Sequence, residues 1–313
     1  MPHSTAPGES GGAPAPVPVA GAAPASRGRT LLVRVASAAV LIALVAATLM
    51  WWHWGFVLLV AALLAVAVWE LRNAAARKGV ADSWQILIVA APLIVIVAYA
   101  LSTAEPLTAR LGHPDPAGVS ILLLAAAVMA VLGWRLRRGV TGYLADVAVS
   151  VFTLGYLVVP GLAVVWLVAS NRPVAFLVAY VACIAANDSG AYWFGSLLGR
   201  HKMIPAVSPA KTWEGFAGGV LLAAVAGVLL GIFLLHVSWL WGVAFGVVLA
   251  AGATIGDLVE SALKRDVGVK DMGRLMPGHG GALDRLDSLL YCAPLAVILY
   301  SLMGLLPGGL RMP

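Results

Sequence analysis

Asp257, Glu260, Ser261 and Lys264 stand at positions i, i+3, i+4 and i+7, so a helix would present all four on one face. Two carboxylates, a hydroxyl and an ammonium side by side can hold a cation and an anion together. Beyond them follow Lys270-Asp271, the glycine turn Pro277-Gly278-His279-Gly280-Gly281, and Asp284-Arg285-Leu286-Asp287. Asp284 and Asp287 are three apart and would project from one side of a helix. A flexible turn joining two carboxylate-bearing helix ends can gather oxygens around one ion. Hard oxygen ligands suit Mg²⁺, which takes one or two carboxylates and lets substrate phosphates complete its shell. Lys264, Arg265, Lys270, Arg274 and Arg285 supply the positive charge that a polyphosphate requires. His279 has no histidine or cysteine nearby, so it reads as a phosphate donor or a loop-shaping residue and not as a zinc ligand. The plainer alternative is a loop of solvated charges. The charge density, with carboxylates inside neighbouring apolar runs, argues against it.

Two upstream segments carry further acidic residues. Asn187-Asp188-Ser189-Gly190 lies inside an apolar run. An ionisable group at membrane depth costs several kcal/mol unless paired or hydrated, which marks Asp188 as a candidate. A polar patch for helix packing is the competing reading. The second segment is Ser208-Pro209-Ala210-Lys211-Thr212-Trp213-Glu214-Gly215. Its hydroxyls, ammonium and carboxylate at a helix start could hold an anion and a metal. Equally, Ser208 or Thr212 could be an ordinary N-terminal cap. Neither a Walker A loop nor a His-Glu-x-x-His motif occurs.

These segments need a scaffold, and composition names its class. Of the 313 residues, 61% are hydrophobic and 11% charged, too few charges to cover a water-facing surface. About nine apolar runs reach the ~20 residues that a span needs: 31–50, 54–71, 84–102, 117–134, 144–169, 174–198, 214–235, 238–258 and 286–306. The expected fold is an all-α polytopic bundle with a cytoplasmic N-terminus. Gly155, Pro160 and Gly161 make 144–169 the run most open to a break. With nine spans, every Lys and Arg except Arg110, Arg172 and Arg311 falls on the inner side, the bias that sets membrane topology. The formal charge of +6 is therefore a topology signal and not a nucleic-acid surface. Residues 1–26 are rich in Ala, Pro and Gly and are expected to be a disordered tail. Residues 27–170 would form the N-terminal helices, and 171–313 the catalytic region. Gly215/Gly219, Gly227/Gly231, Gly242/Gly246 and Gly252/Gly256 recur at spacing four, which allows close helix contact in lipid. Cys183 and Cys292 lie in apolar runs and read as packing residues.

From Ser261 to Asp287 the residues Ser261, Lys264-Arg265, Lys270-Asp271, Gly273, Pro277, His279-Gly280-Gly281, Asp284-Arg285 and Asp287 resemble the signature of phosphatidate cytidylyltransferases, or CDP-diacylglycerol synthases. Asn187-Asp188 and the Ser208–Gly215 segment resemble that family too, so the likeness covers the C-terminal part of the chain. Met276 and Ala282 depart mildly, where larger or branched aliphatics are usual. The resemblance implies transfer of the cytidylyl group from CTP to phosphatidic acid, releasing pyrophosphate, at the inner face of the plasma membrane. It implies Asp257 and Asp284 as Mg²⁺ ligands, with room for a monovalent cation such as K⁺. Lys264, Lys270, Asp271 and Asp287 would join them in catalysis. Asp188, Ser208, Lys211, Thr212, Glu214, Glu260, Ser261, Arg265, His279 and Arg285 would contact the substrates. A homodimer is compatible with it, and nucleic acid is not an expected partner.

A lipid kinase or an ether-lipid cytidylyltransferase would use similar groups, although the full signature argues against the kinase. An ion-coupled transporter would need polar residues spread through many spans. The N-terminal spans are nearly free of them, apart from Glu70 and Asp146 near ends.

Overall fold

The computed structural model describes residues 40, 43–81, 83–273 and 280–306. Among them, eight helices are long and apolar enough to cross a bilayer. They are α1 (His53–Arg77), α2 (Trp84–Thr103), α3 (Pro116–Leu136), α4 (Tyr143–Val168), α5 (Pro173–Leu198), α6 (Trp213–Leu235), α7 (Trp239–Asp266) and α8 (Leu283–Leu302). Each coincides with an expected span, and the protein is an all-α polytopic bundle. The first expected span, 31–50, falls mostly outside the described residues; its described part from 43 onward is helical. The tail 1–26, Arg274, His279 and Arg311 also lie outside them.

The run expected to be fragile, α4, stays continuous. Its backbone widens into a π-helical turn at Leu154–Val158, just before Pro160. A proline ring crowds the carbonyl four residues back and offers no N–H. A widened turn absorbs that mismatch without ending the helix.

The small residues do the work of close packing. α6 lies between α5 and α7, and α7 packs on α8. A Cβ added at Gly190 of α5 would meet the Gly218 carbonyl oxygen of α6 at 2.5 Å. One added at Gly256 of α7 would lie 2.7 Å from the Tyr291 Cβ and 3.0 Å from the Asp287 carbonyl oxygen of α8. Backbones in such contact bring Asp257 and Asp287 to the same depth. At the other end of α8, the Tyr300 ring lies 4.6 Å from Phe176 of α5 and 4.9 Å from Phe245 of α7. Its hydroxyl donates to the Phe176 carbonyl at 2.8 Å, so one aromatic cluster fixes three helices.

The described basic clusters share one end of the bundle. Lys78, after α1, pairs with Asp266 at the end of α7 at 3.0 Å. Arg138, after α3, donates to the Ala81 carbonyl at 2.6 Å. Arg265 donates to Val207 at 3.3 Å. Arg172 sits at the opposite end, bonded to the last carbonyls of α6. Between α5 and α6 the expected loop is instead a two-stranded antiparallel hairpin, β1 (Lys202–Ile204) and β2 (Ser208–Thr212).

Replacing Gly256 with Leu should cost about 1–3 kcal/mol or more by overpacking the α7–α8 contact. Gly133, with nothing within 4 Å of an added Cβ, should accept Ala without loss. Thermal midpoints in detergent measure both.

Candidate active site

The C-terminal end of α7 and the start of α8 bring the acidic residues together. One oxygen each from Asp257, Glu260 and Asp287 lies within 4.8 Å of the others. Ligand oxygens of Mg²⁺ lie ~2.0–2.1 Å from the ion, so the three would draw closer together to share one. The donor set is entirely carboxylate oxygen, which fits a hard divalent cation.

Cations already in the protein hold these carboxylates in place. Lys264 pairs with Glu260 one turn back on α7 and with Asp284 Oδ1 at 3.1 Å. Glu260 is wholly buried, and a buried carboxylate is tolerated only with such compensation. Asp284 also accepts from the backbone of Met272 at 2.9 Å and of Gly281 at 2.8 Å. Its oxygens are therefore engaged by an ammonium and two N–H groups, while Asp257, Glu260 and Asp287 form the tighter oxygen group. Lys211, at the end of β2, reaches Asp257 Oδ2 at 2.6 Å and the Thr254 carbonyl at 3.3 Å. Ser261 donates to the other Asp257 oxygen at 3.2 Å. The face read from the sequence is thus real, and the hairpin closes it.

Two cavities flank this group and share Asp188 and Asp257. One, of about 500 Å³, lies under the hairpin and is lined by Ser208, Lys211, Thr212, Tyr192, Phe216 and Thr254 among others. The second, of about 440 Å³, is bounded by Lys264, Asp284, Arg285 and Asp287. Both fall in the size range of small-molecule sites. Asp188 lines both, held by the Asn187 amide at 3.2 Å. The second cavity shares Val181 and Leu289 with a third, of about 450 Å³, whose lining is almost wholly apolar. A charged chamber and a greasy one therefore adjoin.

Other expected site residues serve the scaffold or stand clear of the cavities. Thr212 is buried and caps α6, its hydroxyl accepting from Gly215 N at 3.1 Å. Glu214 turns outward, accepting from the backbone of Arg200 and His201 and meeting His201 Nδ1 at 2.5 Å. It locks the hairpin onto the start of α6 and lines none of the cavities. Arg265 is tied to the hairpin carbonyl described above. Lys270 and Asp271 are exposed in the connection after α7 and line no cavity either. His279 lies outside the described residues.

The residue that sequence reasoning passed over is Glu70 of α1. It is 4% exposed and accepts from the backbone of Ala282 at 3.0 Å and Leu283 at 2.9 Å. Its signal was present: a lone carboxylate in an apolar span.

Known proteins bear on this arrangement. A family description, cytidylyltransferase family, matches residues 32–303. The phosphatidate cytidylyltransferase of Mycobacterium leprae is 39% identical over 168 residues, 54% of this chain and 53% of that protein. That of Mycobacterium tuberculosis is 39% identical over 165 residues, 53% of this chain and 49% of that protein. The Staphylococcus epidermidis protein of the same name is 46% identical over 127 residues, 40% of this chain and 46% of its own. The chain spans about half the length of the curated relatives it matches.

Removing the Lys264 ammonium should destabilise the fold by roughly 3 kcal/mol, because Glu260 would be buried without compensation. Lys211→Ala, at a half-open pair, should cost under about 1 kcal/mol. The double change Glu260→Gln with Lys264→Met should recover most of the Lys264→Ala loss, read as thermal midpoints in detergent.

Proposed function

The chain belongs to the cytidylyltransferase family, and from that premise we propose that it joins CTP to phosphatidic acid, forming CDP-diacylglycerol and pyrophosphate. The observation carrying this reading is a row of three adjoining chambers, two of which share carboxylates. Two carry charged side chains in their linings and share Asp188 and Asp257, and the apolar one touches the second of them through Val181 and Leu289. A reaction between a water-soluble nucleotide and a membrane lipid needs this combination.

In this reading the nucleotide enters the hairpin chamber, where Lys211 and Ser208 face its phosphates and Tyr192 and Phe216 border the remainder. The phosphate of the lipid occupies the second chamber beside Lys264 and Arg285, and an acyl chain lies in the apolar one. A phosphate oxygen of the lipid attacks the α-phosphorus of CTP. The new P–O bond forms as the bond from that phosphorus to the bridging oxygen breaks, and pyrophosphate leaves with the electron pair. The lipid phosphate is ionised already, so no strong general base is required. What the protein must do is bring two repelling anions into line and offset the charge that develops on the leaving group. In this reading Lys211, Lys264 and Arg285 perform that task.

Asp257, Glu260 and Asp287 would hold Mg²⁺; Glu260 and Asp284 both pair with Lys264, so either would reach the ion by giving up part of that hold. The ion would supply Lewis-acid neutralisation of the phosphates. The basic clusters at the site's end of the bundle support a cytoplasmic site in the plasma membrane. That is the side on which CTP is available.

Purified protein in detergent, given phosphatidic acid, Mg²⁺ and CTP labelled at the α-phosphate, should move label into the lipid fraction. Label transferred only from the γ-phosphate would mean a kinase, and no CTP-dependent transfer would remove the reading. Asp257→Asn should lower turnover at least a hundredfold while leaving membrane insertion intact.

A further inference from the structure

α1 is the most remote in sequence from the signature segment of the eight spanning helices among the described residues, yet its Glu70 completes the turn that carries Asp284. A helix begins with four N–H groups that have no intrahelical partner. At the start of α8 the capping position is Ala282, and no side chain there makes a cap bond. Glu70 replaces the missing cap from another helix, taking the N–H groups of Ala282 and Leu283. The adjacent Gly281 N–H goes to Asp284 Oδ2. Three consecutive N–H groups are thus divided between two carboxylates, one outside the reaction chamber and one inside it.

The packing is as specific as the hydrogen bonding. A Cβ on Gly281 would lie 2.5 and 2.6 Å from the two Glu70 oxygens, and a Cβ on Gly273 would collide with the same carboxylate. Gly273 and Gly281 therefore each have a physical reason to lack a side chain: the described ends of the connection between α7 and α8 close on Glu70. An ionised carboxylate is costly to bury, and here charge-assisted bonds to two N–H groups offset that cost.

We propose that Glu70 is a positioning residue for the reaction. It fixes the 281–283 backbone, which holds Asp284, which in turn holds Lys264 against Glu260. The N-terminal half is then part of the catalytic apparatus and not only a scaffold. The effect on turnover rests on the cytidylyltransferase reading; the effect on the backbone does not.

The test uses the full chain in lipid nanodiscs with Glu70→Gln, which keeps the shape but sets an amide donor against one N–H. Hydrogen exchange at 281–284 should accelerate at least tenfold. In the transfer assay kcat should fall ten- to a hundredfold while KM for CTP stays within twofold, because the nucleotide chamber is built elsewhere. Glu70→Asp combined with Gly281→Ala should be less damaging than the product of the two single effects, since the shorter carboxylate makes room for the methyl group. Unchanged exchange at 281–284 would overturn the proposal. Faster exchange with unaltered kcat per folded molecule would reduce Glu70 to a structural cap and also overturn it. If the wild-type protein shows no cytidylyl transfer, the functional reading fails while the exchange measurement still decides whether Glu70 orders the turn. Should Glu70→Gln fail to accumulate, Gly273→Ala puts the same question from the opposite side of the contact, with the same expected and contrary results.

Discussion

The constraint on which this structure depends is the cost of holding carboxylates inside a membrane-spanning bundle. Glu260 is wholly buried and Asp257, Asp284 and Asp287 are partly so, in a medium where an isolated charge is expensive. Each is offset by a named partner. Glu260 and Asp284 share the Lys264 ammonium, Asp257 takes Lys211 from the hairpin, and Asp287 accepts from Ser288 N at 2.6 Å. Glu70 takes two helix-terminal N–H groups. These pairings dictate where α7, α8, the hairpin and α1 must stand, so the electrostatics of the site and the packing of the bundle are one problem. Glycine contacts solve the steric half of it, and lysines and backbone donors solve the rest.

The same arrangement sets what the protein can do. Carboxylates close together, with ammonium and guanidinium groups around them, make the chamber that the proposed reading assigns to phosphates. The apolar cavity that adjoins it at Val181 and Leu289 is what the same reading assigns to the lipid part of the substrate. Neither feature would suffice alone. A polar cleft by itself is an ordinary nucleotide site, and a lateral apolar groove by itself is common in membrane proteins.

The sequence made the helices and the α7 face legible because both depend on local periodicity. Hydrophobic length marks a span, and i, i+3, i+4, i+7 spacing marks a face, whatever the tertiary context. The hairpin was less visible, since strands of three and five residues leave little pattern. The roles of Thr212 and Glu214 could not be separated beforehand, because a cap and a ligand use the same side chains. Glu70 was the hardest to interpret. Its partners are backbone N–H groups 212 and 213 residues away, and nothing in its neighbourhood along the chain points to them. Long-range partners of that kind are set by the fold alone.

The central claim is that Asp257, Glu260 and Asp287 form one divalent-ion site. Titration of the purified protein with Mn²⁺, followed by electron paramagnetic resonance, tests it most directly. The account predicts saturable binding that CTP tightens and that Asp257→Asn or Asp287→Asn abolishes. Binding of equal strength in the wild-type and both variants would contradict it.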